Sequence, residues 1–312
     1  MQDFSPNLNY YRPSGAAPIG GVLLTLALGV AAAFPIAFLY AFINHHDPIL
    51  YLNILLAVGF GFVLGWVVSK GIHKFRIRNA FIALTIAVVV FAVAYVVHWF
   101  VYVSAVIVDW ETDAPYDVLL IARYALDLFE APGTFLEILK EMNHEGIWSI
   151  SSSSGRSSAT AVNGVFLTAI WIAEALVVFY NAVKKPLDET RKPYSERSEE
   201  WLKPQEMVLP IAFVANKAAF ESSLARNDYS ALTTPLPPLS GNEAEAQELN
   251  HATVTLYNDP FDPCITVSNV TVKQKKKKTD VSTKAVVRYL KVSPSVAQNI
   301  ASALGAEEAS QI

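Results

Sequence analysis

The sequence predicts a mainly α membrane protein, in which a four-helix transmembrane bundle is followed by a small C-terminal α+β cytoplasmic domain. Of the 312 residues, 53% are hydrophobic and only 17% are charged, whereas about 25% are charged in soluble proteins. Four apolar stretches are each long enough to cross a bilayer. They are residues 20–43, 50–68, 80–108 and 159–183. The chain after them is polar and carries short Val- and Thr-rich runs that are typical of strands.

The chain begins with a polar segment, residues 1–19, that has no hydrophobic period. We interpret it as a cytoplasmic tail whose tyrosines can lie at the level of the lipid headgroups. Residues 20–43 follow without a charge, which is too long for the core of a secretory signal. They predict a first span that is kinked at Pro35.

The second span, residues 50–68, contains a regular spacing of small residues. Gly61, Gly65 and Ser69 recur every four positions and therefore share one stripe of a helix. Such a stripe lets another helix approach closely. It serves either packing within this chain or self-association into a homo-oligomer.

Charges flanking the spans predict the orientation. Residues 69–79 carry Lys70, Lys74, Arg76 and Arg78, and clustered cations of this kind mark a cytoplasmic loop. Residues 109–158 instead contain nine acidic and three basic side chains, as expected of an extracytoplasmic segment. Both termini are then predicted to be cytoplasmic.

The third predicted span is longer than a membrane requires. Residues 80–108 would rise about 43 Å at about 1.5 Å per residue, against a hydrocarbon core of about 30 Å. Its outer end must therefore tilt or emerge, and residues 98–102 form an aromatic belt there. This placement predicts an interfacial His98, with a proton relay inside the membrane as the alternative.

Two amphipathic helices are predicted in the acidic segment. One covers residues 116–130 with Pro115 in its first turn, and the other opens at a capping box of Thr134 and Glu137. Helices of this kind lie on the outer membrane surface or cap the bundle. A serine-rich linker, residues 151–155, leads to the fourth span.

The fourth span carries an ionisable residue, Glu174, roughly halfway across. A charge at that depth costs about 3 kcal/mol or more, and no predicted span contains Lys or Arg. Glu174 is therefore expected to be neutral, bonded to hydroxyls and amides, or paired across an oligomer. Other polar side chains lie within about 60° of it on a helical wheel. They are Thr160, Asn163, Trp171 and Asn181.

Three roles for Glu174 stay open at this point: helix packing, a proton or cation pathway, and an oligomer contact. A connector, residues 184–204, joins this span to the predicted cytoplasmic domain of residues 205–312. Helices are predicted at residues 216–226 and 294–304, and strands at residues 251–257, 265–274 and 281–292. We expect this domain to bind a protein partner.

A run of lysines lies between the last two predicted strands. It comprises Lys273, Lys275, Lys276, Lys277 and Lys278. Near a membrane face it could contact anionic lipid headgroups, at about 1 kcal/mol per lysine; otherwise it is a solvated hairpin tip. No nucleic-acid partner is predicted, because no set of aromatic stacking residues accompanies the lysines.

The candidates for metal binding and catalysis are weak. His45, His46 and Asp47 have suitable ligand atoms, but adjacent histidines do not easily chelate one ion, so no metal or other cofactor is predicted. Cys264 is the single cysteine, which excludes an intrachain disulfide. The sequence contains no phosphate loop, GxGxxG, GxSxG or HExxH motif, so no enzyme class is indicated.

Four short motifs resemble an uncharacterised family of bacterial four-span integral membrane proteins. They are Tyr11-Arg-Pro-Ser-Gly15, Arg78-Asn79, Gly146-Ile-Trp-Ser-Ile150 and Trp171-Ile-Ala-Glu174-Ala175. The resemblance covers roughly the first 200 residues and implies a bacterial inner membrane, but no activity. Relatives can carry Cys-x-x-Cys after the last span, which suits a zinc ribbon. Ser195 and Ser198 occupy these positions here, so a metal role is not expected.

These observations lead to two functional hypotheses. The leading one is a membrane-anchored interaction or sensing module, whose partner binds the cytoplasmic domain. The alternative is a transport or channel subunit with a proton or cation site at Glu174.

Overall fold

A computed structural model describes residues 8–46, 50–112, 114–146, 149–150, 160–236, 250–275 and 278–305. The chain divides into two compact units. The helical unit is Ser14–Arg191, and the strand-rich unit combines Met1–Pro13 with Lys192–Ile312. Residues 1–13 of the predicted cytoplasmic tail thus group with the C-terminal part of the chain, and residues 14–19 group with the helical unit.

Four long apolar helices form the framework of the helical unit, as predicted. They are α1 (Ile19–His46), α2 (Leu50–Lys74), α3 (Ala80–Glu111) and α6 (Gly164–Thr190). Each is long and apolar enough to cross a membrane. The prediction of four such helices is therefore confirmed.

The ends of these helices differ from the predicted ends. α2 continues through residues 69–74, which the prediction assigned to a loop, because long lysine side chains can stay on a helix and reach outward. α6 begins at Gly164 rather than at residue 159, and it continues beyond residue 183 to Thr190. Residues before α6 form a strand instead, since β1 (Ser149–Ile150) pairs with β2 (Thr160–Ala161).

Close packing between helices depends on glycine. A Cβ atom added to Gly65 would lie 2.8 Å from the carbonyl oxygen of Ala182, and one added to Gly61 would meet Val178 of the same helix, α6. Ser69, one turn after Gly65, is buried. Gly61 and Gly65 of the small-residue stripe therefore lie against α6 of this chain.

Two shorter helices pack on the second half of α3. α4 (Val118–Glu130) begins after Asp117, whose carboxylate accepts hydrogen bonds of 3.0 Å from the N–H groups of Leu119 and Leu120. The predicted start at Tyr116 is thus wrong by two residues, since the aspartate cap fixes the first turn.

α5 (Pro132–Glu145) begins earlier than its predicted capping box. Ala131 precedes the helix and makes no side-chain capping bond, while Pro132 occupies the first turn. Proline has the φ angle that a first helical turn needs and no N–H to leave unpaired there. The helix therefore begins at Pro132, and Thr134 does not cap it.

The strand-rich unit is built on an antiparallel sheet. β7 (Asn250–Tyr257), β8 (Cys264–Lys275) and β9 (Lys278–Lys291) form a meander, which confirms the three predicted strands. Two short strands, β5 (Pro204–Glu206) and β6 (Ile211–Ala212), both pair with β7. Neither was predicted, because runs of two or three residues carry no measurable period.

Three helices cover the buried face of this sheet. They are α7 (Lys217–Ala225), α8 (Ser230–Thr233) and α9 (Pro294–Leu304). Alternate residues of β7 are buried, as in any strand with one face toward a core. They pack with Leu224, Leu232 and Ile300 in one hydrophobic cluster.

The N-terminal segment extends the sheet along the free edge of β9. The N–H of Tyr11 donates to the carbonyl of Tyr289 at 2.8 Å, and the N–H of Lys291 donates to the carbonyl of Asn9 at 2.9 Å. The hydroxyl of Tyr10 donates to Glu221 at 2.8 Å. Tyr10 and Tyr11 therefore contact the strand-rich unit, and their predicted position at the headgroup level stays a prediction.

Candidate functional site

Glu174 lies on α6 and is joined to α1 by a hydrogen bond. The hydroxyl of Tyr40 donates to Glu174 Oε1 at 2.5 Å. One turn earlier, the carbonyl of Trp171 accepts a 3.3 Å hydrogen bond from the hydroxyl of Tyr95 on α3. The turn from Trp171 to Glu174 therefore lies among three of the four long helices.

A histidine lies on the other side of Tyr40. His98 on α3 is 2% exposed, and its ring centroid is 4.8 Å from that of Tyr40. Four further rings surround it at centroid distances of 5.4 to 6.2 Å. They belong to Phe60, Tyr95, Trp99 and Tyr102.

Both ring nitrogens of His98 are buried and make no hydrogen bond to any residue that the structure describes. Buried polar atoms normally find a partner, because leaving one unpaired costs about 1–3 kcal/mol. If this position only had to pack against its neighbours, phenylalanine would stabilise the protein more than an imidazole with unpaired nitrogens. It identifies His98 as a candidate functional residue.

The structure buries His98 inside the helical unit, and the predicted interfacial depth of His98 in a membrane stays a prediction. The aromatic run of residues 98–102 lies within α3, which continues to Glu111, and His98 is enclosed by the other helices. Sequence periodicity could not reveal this, because Tyr40 and Phe60 reach His98 from distant parts of the chain. The only available signal was the presence of a histidine in an uncharged span.

The arrangement suits proton binding. Glu174, Tyr40 and His98 supply a carboxyl, a phenol and an imidazole, which are all groups that exchange protons. Within the described parts of the chain, no cationic side chain forms an ion pair with Glu174. A lone carboxyl in apolar surroundings can hold a proton instead of a negative charge.

The other members of the predicted polar stripe do not join this site. Thr160 lies in β2 and not in α6, so its predicted place on the helix is wrong. Asn163 precedes the helix and donates from Nδ2 to the carbonyl of His144 at 3.1 Å. Asn181 donates within its own helix, to the carbonyl of Val177 at 2.8 Å. Only Trp171 and Glu174 belong to the site.

The weak metal candidates are engaged in other contacts. His46 lies with Nδ1 2.8 Å from the carbonyl oxygen of Phe42 and with Nε2 3.1 Å from that of Pro115. His45 Nε2 is 3.9 Å from an Asp109 oxygen, and Asp47 lies outside the described residues. Among the residues that are described, no three His, Cys, Asp or Glu side chains are grouped to hold a metal ion.

The serines at the zinc-ribbon positions form a hydrogen-bonded network. Ser195 lies in β3 (Tyr194–Ser195) and Ser198 lies between β3 and β4 (Glu200–Trp201), which form a hairpin. Ser195 Oγ accepts from the N–H of Ser198 at 3.1 Å, and Ser198 Oγ donates to Asp259 at 2.6 Å. The other Asp259 oxygen accepts from the N–H groups of Phe261 and Asp262.

Asp259 is held in its charged form by these bonds. Burial acts to raise the pKa of Asp259, but the hydrogen bonds from Ser198 and from the two backbone N–H groups outweigh burial and hold the pKa below its ordinary value. Burial raises the pKa of the nearby Cys264 thiol to about 12. The thiol is therefore protonated at neutral pH, which does not suit metal binding.

The described lysines of the run lie where β8 ends and where β9 begins. Lys273 and Lys275 lie in β8, and Lys278 lies in β9. Lys276 and Lys277 lie outside the described residues. The two interpretations of the run, a solvated hairpin tip and a contact with anionic lipid, both stay predictions.

Two of the motifs that carry the family resemblance contact each other. Arg78 Nε donates to Ser14 Oγ at 3.1 Å, and its backbone N–H donates to the carbonyl of Ala16 at 2.7 Å. Asn79 Nδ2 donates to the carbonyl of Gly15 at 3.1 Å. These motifs hold the start of α1 to the turn between α2 and α3.

No family model, curated protein or solved structure matches this chain. The geometry of Glu174, Tyr40 and His98 is therefore the basis on which a function is proposed.

Proposed function

We propose that this protein crosses a bacterial inner membrane four times and that Glu174, Tyr40 and His98 conduct protons through the helical unit. The observation that carries the proposal is the hydrogen bond from Tyr40 to Glu174, on helices long and apolar enough to cross a membrane. In such surroundings an isolated carboxyl is costly to keep charged, and intramembrane carboxyls commonly mark proton pathways.

Exposed apolar side chains support the membrane placement. Leu28 on α1 is 55% exposed, Leu55 on α2 is 65% exposed, and Leu176 on α6 is 61% exposed. Water-soluble proteins rarely expose apolar patches of this extent, whereas lipid chains solvate them well. The helical unit therefore suits a bilayer as its solvent.

The N-terminal segment supports an even number of crossings. It is hydrogen-bonded to β9, which follows all four long helices in the chain. Both ends of the helical unit must then open onto the same side of the membrane. Lys70 and Lys74 at the end of α2, together with Lys184 and Lys185 in α6, favour the cytoplasm as that side.

The chemistry of the site favours protons over metal cations. Glu174 can bind a proton and pass it to the Tyr40 oxygen while the Tyr40 hydroxyl proton leaves for another acceptor, and Glu174 is then a carboxylate until it binds the next proton. His98 offers a second acceptor beside the Tyr40 ring. A dehydrated metal cation would need several oxygen ligands, whereas Glu174 is the only carboxylate in any of the predicted spans.

The test is proton flux into liposomes that contain the purified protein and an internal pH-sensitive dye, driven by a potassium diffusion potential. Wild-type protein should acidify the lumen faster than empty liposomes do. Glu174→Gln, which keeps the size of the side chain and loses its exchangeable acid, should lower the flux to that of empty liposomes. Glu137→Gln, at an exposed position on α5, is the matched control and should have the same proton flux as the wild type.

Equal flux in wild-type protein and Glu174→Gln would contradict the proposal. Replacing the internal dye by one selective for Na⁺ separates proton conduction from cation conduction in the same preparation.

A second function, a membrane-anchored interaction or sensing module, is favoured by the strand-rich unit. This unit has a hydrophobic core of its own. A scaffold should tolerate Glu174→Gln and should lose cross-linked partners when residues 205–312 are deleted. A proton pathway predicts that Glu174→Gln abolishes the flux and that deletion of residues 205–312 leaves it intact. Proton flux and in-cell cross-linking, measured on both variants, therefore separate the two functions.

A further inference from the structure

The exposed side of α4 is divided lengthwise into an apolar flank and a charged flank. The apolar flank consists of Val118, Leu119, Leu126 and Phe129, which are 46%, 82%, 68% and 67% exposed. On a helical wheel these side chains occupy an arc of about 100°. The charged flank is adjacent and consists of Arg123, Asp127 and Glu130, all exposed.

A third side of α4 is buried within the helical unit. Ile121 is 0% exposed and packs in a cluster with Ala41 of α1 and Val101 of α3, and Leu128 packs in a second cluster with Val103. The contacts that hold α4 therefore leave its apolar flank uncovered. Burial against the bundle cannot be the reason for the apolar residues on that flank.

The position of α4 along α3 corresponds to the edge of a bilayer. The ring of Phe129 lies 5.6 Å from that of Phe100 on α3. From Ala80 to Phe100 the helix rises about 30 Å, which is the thickness of the hydrocarbon core. Trp110, 65% exposed near the end of α3, lies about 15 Å farther along the helix than Phe100, so α3 must tilt for Trp110 to reach the headgroup region of the same leaflet.

We propose that α4 lies in the plane of the outer membrane interface, with its apolar flank among lipid acyl chains and its charged flank in water. An interfacial helix has this pattern, with an apolar face buried about 5–10 Å below the headgroups. Exposed Tyr116 and Trp110 near the start of α4 are side chains typical of that level. The inference rests on the four membrane crossings proposed above.

Lipid fits this flank better than a second protein does, for two reasons. The apolar flank continues, through Phe129 and Phe100, onto the side of a helix that is itself long and apolar enough to span a membrane. The charged residues are confined to the neighbouring arc, as the water-facing side of an interfacial helix requires.

The experiment is site-directed spin labelling of the full-length protein in lipid nanodiscs. Cys264 is the single cysteine, so Cys264→Ala gives a background free of thiols. If Cys264→Ala folds poorly, native Cys264 is retained, because the residue is 1% exposed and labels slowly. Single cysteines then replace Leu119 and Leu126 on the apolar flank, and Arg123 and Asp127 on the charged flank.

Collision of the spin label with oxygen, which concentrates in lipid, reports a lipid environment. Collision with a water-soluble nickel chelate reports exposure to water. The ratio of oxygen to nickel accessibility should be several-fold higher at positions 119 and 126 than at positions 123 and 127. Leu28→Cys in α1 serves as the lipid reference, and Lys217→Cys in α7 serves as the water reference.

Two outcomes would overturn the inference. Equal water accessibility at all four α4 positions would place the whole helix in solvent, and low accessibility of positions 119 and 126 to both reagents would indicate a covering protein surface. The reference at Leu28 separates these failures from a failure of the membrane proposal itself. If Leu28→Cys collides mainly with the nickel chelate, the four crossings are wrong.

Discussion

Tyr40 donates a hydrogen bond of 2.5 Å to Glu174 across 134 positions of sequence, and thereby couples α1 to α6. Such bonds have a measurable coupling energy when water does not compete for either partner. We expect Tyr40→Phe and Glu174→Gln to be non-additive by about 1–2 kcal/mol in the free energy of unfolding. Denaturation of the detergent-solubilised protein, arranged as a double-mutant cycle, measures this coupling. Tyr40→Phe with Glu137→Gln should be additive.

His98 should behave differently from a residue that stabilises the fold. His98→Phe removes two buried nitrogens that have no hydrogen-bond partner among the described residues, and it keeps an aromatic ring among its neighbours. We expect a free energy of unfolding equal to or above that of the wild type, because apolar replacement of an unpaired polar group is neutral or favourable. His98→Ala should instead destabilise by about 3–5 kcal/mol, as cavity formation does.

Thermal unfolding followed by tryptophan fluorescence measures both His98 variants. If His98→Phe lowers the unfolding temperature as much as His98→Ala, the ring nitrogens of His98 have partners in the folded protein. If His98→Phe is stable and still conducts protons like the wild type, His98 has no place in the proposed pathway.

Gly65 should tolerate no larger side chain. An added Cβ would lie 2.8 Å from the carbonyl oxygens of both Asn181 and Ala182, and these backbone atoms cannot rotate away. Gly65→Ala is therefore expected to destabilise by about 1–3 kcal/mol through overpacking. Gly59→Ala is the matched control, because nothing lies within 4 Å of its added Cβ.

In a helix interior, alanine is favoured over glycine by about 0.5–1 kcal/mol, so Gly59→Ala should be neutral or stabilising. Chemical denaturation of both variants at a series of protein concentrations checks the prediction. An effect of Gly65→Ala that appears only at high protein concentration would assign the stripe to a contact between copies.

Much of this fold could be predicted, because the long helices and the main strands each arise from one continuous run of residues. The four long helices depend on uncharged stretches, and β7, β8 and β9 depend on runs of Val, Thr and Ile, so both sets appear in the sequence itself. Helix ends were less predictable. Lys70 and Lys74 signal a loop by charge, but their side chains let α2 continue to Lys74.

The candidate site was only half predictable. Glu174 was identified because an acid in an apolar span is unusual by itself. Tyr40 and Phe60, in contrast, resemble any other aromatic residue of a span, and only tertiary packing brings them to Glu174 and His98. Thr160 was misassigned because pairing of β1 with β2 overrides the apolar run in which the residue lies.

Asp259 should make the free energy of unfolding of the strand-rich unit depend on pH in the acid range. Its pKa in the folded protein lies below the ordinary value, so the charged form stabilises the fold above the unfolded pKa of about 3.9. This contribution is lost as the pH falls below about 4 and through the folded pKa. Asp259→Asn should lower the free energy of unfolding at pH 7 by about 1.5–3 kcal/mol and flatten the acid profile.

Urea unfolding between pH 2 and pH 7, followed by tryptophan fluorescence, measures the contribution of Asp259. Ser198→Ala, which removes one of the hydrogen bonds to the carboxylate, should also lower the free energy of unfolding at pH 7, but by less. Glu206→Gln, at an exposed position of β5, is the control and should follow the wild-type profile. A constant difference between wild type and Asp259→Asn at every pH would contradict the assignment.

The N-terminal segment should protect the edge of β9 from solvent. The amides of Tyr11 and Lys291 are both engaged in hydrogen bonds across this edge, and the Tyr10 hydroxyl adds a side-chain bond to Glu221. Deleting residues 1–12 would leave the amide of Lys291 without its partner, Asn9. We therefore expect faster hydrogen exchange at residues 289–292 and unchanged exchange in β7, which lies on the far side of β8.

Tyr10→Phe, which keeps the backbone pairing and loses only the bond to Glu221, should leave the exchange of Lys291 close to that of the wild type. Hydrogen–deuterium exchange with peptide-level mass spectrometry on the full-length protein distinguishes these outcomes. If the deletion leaves residues 289–292 as protected as before, the segment does not form part of the sheet in solution, and the even number of crossings loses this support.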